Sequence, residues 1–151
     1  MSEIASILSF VKNTAWADTG NTFVNSNITT FATTGTRAEL STWLANPDRT
    51  KWFVTCYMQR QEPPKCVYRG VQKFRMVVNL DIYAMITPDP SDLATLIATR
   101  QSLANFLVTY IKNNDQAISG VDMCHPNKPE MFDLPDTFLK ATIPLHVELI
   151  Q

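Results

Sequence analysis

The chain has 151 residues, of which 45% are hydrophobic and 18% charged, and its formal net charge is -1. That length suits one domain, the apolar share supports a packed core, and so little charge excludes a disordered chain. Near-neutrality gives no global basic field for nucleic acid and no acidic tail. The opening Met1-Ser2-Glu3-Ile4 lacks the basic start and apolar run of a secretory signal. No stretch reaches the roughly 18 uninterrupted apolar residues of a membrane helix. The three cysteines, Cys56, Cys66 and Cys124, are odd in number and far apart. They fit reduced thiols in a cytosolic setting better than a disulfide framework.

Residues 3 to 16 read as a first helix, with Ile4, Ile7, Leu8 and Val11 on one face. Residues 18 to 36 are rich in Thr, Asn and Ser, which compete with a helix ladder, so a loop is expected, with a short strand around Thr22 to Val24. A polar loop of that length in a small domain suggests a binding role. Thr36 to Asn46 reads as a short helix, opened by a Thr36 and Glu39 capping box and stopped at Asn46-Pro47-Asp48. Trp52 to Met58 is aromatic and β-branched, which predicts a strand, and Pro63-Pro64 turns the chain.

Val67 to Ile86 carries the clearest signal. Phe74, Met76, Val78, Leu80, Ile82, Ala84 and Ile86 alternate with Arg75, Val77, Asn79, Asp81, Tyr83 and Met85. Alternation at period two predicts a strand with the first set on the core, and Gly70 is the expected break. Asp89, Pro90 and Asp92 open a helix whose apolar stripe runs from Leu93 to Ile111. Asn113 to Pro135 reads as a polar connecting segment. Thr137 to Ile150 alternates again, with Leu139, Ala141, Ile143, Leu145, Val147 and Leu149 inward. Pro144 lacks an N–H, so this strand is expected at an edge or with a bulge. The whole predicts one α+β domain over 1–151: N-terminal helices and loop in 1–50, then a small, mainly antiparallel sheet under a long helix in 51–151. The two central strands are expected as an antiparallel hairpin.

Asp122, Cys124 and His125 form the best metal or nucleophile cluster, but zinc needs about four converging ligands and no second pair follows at suitable spacing. A polar loop is the simpler reading, and no metal or cofactor is expected. Asp81 and Glu148 are candidate paired carboxylates for acid/base work. Both alternate with apolar residues on strands, so both are expected outside, in solvent or at an interface. No Gly-rich phosphate loop or nucleophile motif is present. Tyr57, Tyr83 and Met85 also fall on the outward set. Either they mark an interaction surface or a second layer, such as the first helix, covers them.

Charge is more informative. From Arg49 to Arg75 there are seven basic residues against one acid, Glu62. From Asp115 to Asp136 there are five acids against one base, Lys128. One reading has the basic hairpin of Arg60, Lys65, Arg69, Lys73 and Arg75 meeting the acidic loop of Asp122, Glu130, Asp133 and Asp136 on a neighbouring copy. A second has the same hairpin, with Trp52, Tyr57 and Tyr68, against a nucleic-acid strand. An ordinary solvated surface is the third.

The strand Lys51 to Tyr57, the alternating strand Phe74 to Ala84, the helix opening Pro88-Asp89-Pro90-Ser91-Asp92 and the closing Phe138 to Glu148 resemble the tail-terminator proteins of long-tailed bacteriophages. The likeness covers residues 50 to 151. It implies a non-enzymatic virion protein without cofactor or membrane. Such a protein assembles in the host cytoplasm into a homohexameric ring. The ring caps the tail tube protein, joins a head-tail connector or stopper protein, and lets DNA pass through a central channel. Other neck and head-completion proteins share this size and make-up and stand as the alternative, beside a small nucleic-acid-binding module using residues 49–75.

Overall fold

Alternation from Phe74 onward forces one long strand, and that strand becomes the axis of the sheet. The computed structural model describes residues 3–11, 28–31, 37–45, 52–85, 90–134 and 138–151. In order these form α1 (Glu3–Phe10), β1 (Ile28–Phe31), α2 (Arg37–Ala45), β2 (Trp52–Gln61), β3 (Lys65–Tyr68), β4 (Val71–Met85) and α3 (Pro90–Asn113). A short 3-10 turn (Asp115–Ala117), β5 (Met123–Pro126), β6 (Glu130–Leu134) and β7 (Phe138–Ile150) follow. The fold is α+β, and its sheet is mainly antiparallel, as the alternating segments predict. Among the described residues, seven strands form one sheet in the order β1-β2-β4-β7-β5, with β3 also beside β4 and β6 also beside β7. β1 pairs with β2 in parallel.

One sheet face is apolar throughout. Val54 and Cys56 of β2, Val78, Leu80 and Ile82 of β4, and Ala141, Ile143 and Leu145 of β7 are all sealed from solvent. Leu103, Ala104, Leu107 and Ile111 of α3 close over them, so the long helix covers this face as expected. α1 adds Ile7, Leu8 and Phe10, and the Phe10 ring lies 5.9 Å from that of Tyr110 on α3. Each such aliphatic side chain contributes about 1.5–3 kcal/mol when fully buried.

The opposite face departs from expectation. Asn79, Asp81, Tyr83 and Thr142 belong to the set expected outside, yet all are buried, as is Thr55 beside them. The cover is α2, not the first helix. Its Trp43 stacks on Phe53 at 5.2 Å and 18°, and tilts against Tyr83 at 6.4 Å. Met85 is partly buried against the core, while Tyr57 keeps 39% of its surface exposed.

Other differences have local causes. The segment 18–36 contains β1, because Ile28-Thr29-Thr30-Phe31 is β-branched and aromatic and finds the free edge of β2. The connection 113–135 contains β5 and β6, both bonded to the outer edge of β7. β7 is therefore no edge strand, and its register with β4 runs unbroken from Phe138 to Ile150. Pro144 is tolerated because its carbonyl points away from β4, accepting the Asn127 N–H at 2.8 Å. Its missing donor thus falls in the gap between β5 and β6. Gly70, at φ 72°, makes the expected break, closing the Arg69-Gly70 turn between β3 and β4. The expected strand Thr22 to Val24, the far end of the first helix, and the caps Thr36 and Asp89 lie outside the described residues.

Candidate functional site

The pairing register builds a polar seam on the covered face. Thr55, Asp81 and Thr142 lie directly opposite one another on β2, β4 and β7. Thr142 Oγ1 donates to Asp81 Oδ1 at 2.6 Å, and the Tyr83 hydroxyl donates to Oδ2 at 3.2 Å. The Lys140 ammonium stands 3.6 Å from Oδ2. A cavity of about 410 Å³ lies over the seam, lined by Arg37 and Leu40 of α2 and by Thr55, Tyr57, Tyr83 and Lys140 around Asp81. Burial pushes the Asp81 carboxyl up, and the Thr142, Lys140 and Tyr83 contacts offset only part of that. Burial, then the Asp81 charge, raise the Tyr83 phenol far above its usual range, so it stays a donor. Both Asp81 oxygens are thus engaged within the chain, as befits a structural polar network.

Asp81 and Glu148 do not form a carboxylate pair. Glu148 lies opposite Arg75, six positions along the β4–β7 ladder from Asp81 and Thr142, or roughly 20 Å at about 3.3 Å per residue. Glu148 binds Lys73 at 3.0 Å and Arg75 at 2.8 Å. Partial burial pushes its carboxyl up, but Lys73 and then Arg75 outweigh that and hold it below the usual value. A depressed carboxyl adds stability that is present above its unfolded-state value and lost as pH falls through the folded one. Glu148→Gln should therefore cost less than about 1 kcal/mol at neutral pH, because Arg75 is half exposed. It should also remove part of the acid-side loss, which thermal melts across the acid range would read.

The acidic set is likewise used locally. Asp122 accepts the Ile150 N–H through Oδ2, fastening the end of β7. Asp133 pairs with Arg100, a buried α3 side chain that also donates to the Phe132 carbonyl at 3.0 Å. Glu130 is exposed on β6, and Asp136 lies outside the described residues. The cluster of Asp122, Cys124 and His125 does not converge. Successive strand residues face opposite ways, so Cys124 is buried in the core while His125 is exposed.

Arg60, Lys65 and Arg69 are exposed and form no ion pair within the described residues. They sit on or beside the arm made by β3 and the start of β4. All four β3 residues are exposed, with Val67 at 58% and Tyr68 at 74%. Trp52, grouped with this hairpin in the nucleic-acid reading, is instead a core residue. No family model and no curated protein matches the chain. Among the described residues, no helix is long and apolar enough to cross a membrane.

Proposed function

We propose that the chain is a structural subunit that assembles head to tail with copies of itself, in the manner of the phage tail terminators that residues 50–151 resemble. In this reading a homohexameric ring caps the tail tube, meets the connector or stopper on the head side, and leaves a central passage for DNA. It takes its place in the virion tail or neck, and no catalytic step is required of it. The observation that carries the reading is the β3–β4 arm. It exposes Val67 and Tyr68 between the free cations Lys65 and Arg69, beyond the reach of its own core. Exposed aromatic surface ringed by charge is typical of a protein contact.

Light scattering and negative-stain images of the purified protein test this directly. The reading expects a closed multimer, and a strict monomer that never binds tail tubes would sink it. Lys65→Glu with Arg69→Glu should weaken assembly about tenfold or more, since charge across a contact steers and stabilises association. Lys73 and Arg75 are poorer targets, because their reversal would break the pair with Glu148 inside the chain.

The exposed Tyr68 between Lys65 and Arg69 also favours a second reading, a nucleic-acid contact by the arm. Filter binding at two salt concentrations separates them, because phosphate contacts weaken steeply with salt.

A further inference from the structure

Resting on that assembly reading, we infer that β3 of one copy docks along the outer edge of β6 of the next, continuing the sheet from subunit to subunit. Both strands are short edges that pair on one side only among the described residues: β3 with β4, and β6 with β7. An unpaired edge offers a row of free N–H and C=O groups, and a strand from another chain is their natural partner. The two edges lie on opposite sides of the β4–β7 pair, so a copy cannot satisfy one with the other. The contact is heterologous, which yields a ring when the rotation closes.

Side chains favour the same match. β3 and its turn carry Lys65, Val67, Tyr68 and Arg69, all exposed. β6 carries Glu130, Phe132 and Asp133, also exposed, with Phe132 at 42%. Cations flanking an apolar centre on one edge thus face acids flanking an apolar centre on the other. Asp133 keeps 60% of its side-chain surface exposed although it holds Arg100. Two bases already stand against β6 from within the chain, Arg100 on Asp133 and the Lys140 ammonium 5.2 Å over the Phe132 ring, while Lys128 lies in the turn before β6 and outside the paired strand.

The natural thiols supply the test. Cys66 is exposed on β3, whereas Cys56 and Cys124 are buried. In Lys128→Cys, a second exposed thiol stands in the turn just before β6. A short thiol-to-thiol cross-linker should then give a ladder of covalent multimers extending beyond dimers. The wild type, and Lys128→Cys combined with Cys66→Ser, should give dimers at most. Dimers alone from Lys128→Cys, while light scattering still shows full multimers, would overturn the β3–β6 contact and leave the assembly reading standing. A monomer by light scattering at every concentration, with no ladder, would overturn both.

Discussion

Trp43→Ala is expected to destabilise the protein by about 3–5 kcal/mol, the usual cost of truncating a large buried aromatic. Trp43 is the one fully buried residue of the helix Arg37–Ala45, with Leu40 partly buried beside it, so the indole is its main anchor on the sheet. Nine residues fall below the roughly 12–15 that an isolated helix needs in water. Losing the stack on Phe53 and the contact with Tyr83 should therefore free the whole helix and admit water to the Asp81 cavity. Urea midpoints read by far-UV circular dichroism would measure this. Trp43→Phe should cost much less, because the indole N–H is buried without a partner and its removal breaks no hydrogen bond. If Trp43→Ala changes stability by less than about 1 kcal/mol, the helix does not depend on this anchor.

Thr142→Val should cost about 1–3 kcal/mol at neutral pH, since it strips a donor from a fully buried carboxylate and preserves side-chain shape. Asp81 carries a raised value in the folded state, so the unfolded chain loses that proton first. Between the two values the native state binds more protons, and stability falls as pH rises. Thr142 favours the charged form, and its loss raises the folded value further. The penalty should thus be larger at neutral pH than in acid, in the same sense as the cost expected for Glu148→Gln. Equal penalties at both pH values would mean that the hydroxyl does not hold a charged Asp81.

The long elements were legible because their signals are long. Strand β4 and strand β7 alternate over a dozen residues or more, and α3 shows its stripe for several turns. Strands β1, β5 and β6 have four or five residues each, too few for any period to stand out. They exist because a long strand beside them offers unmet hydrogen bonds, which is a tertiary cause. Asp81 shows a second limit. Alternation assigns a residue to a face, but whether that face meets water depends on α2, whose contribution rests mainly on one tryptophan. The charge blocks show a third. Their signs were readable, but the register that sets Arg75 opposite Glu148 was not, so part of an apparent contact between copies is spent within one chain.

The β4–β7 ladder also bears on how the chain folds as it is synthesised. Met85 and Phe138 close its tightest loop, and that loop already contains α3, β5 and β6. Strand β4 must wait, with one edge open, until β7 has left the ribosome. Such late, distant pairing slows folding and leaves a sticky template exposed to other nascent chains. Ribosome-bound chains halted before residue 138 should therefore recruit chaperones, and release of β7 should end that need.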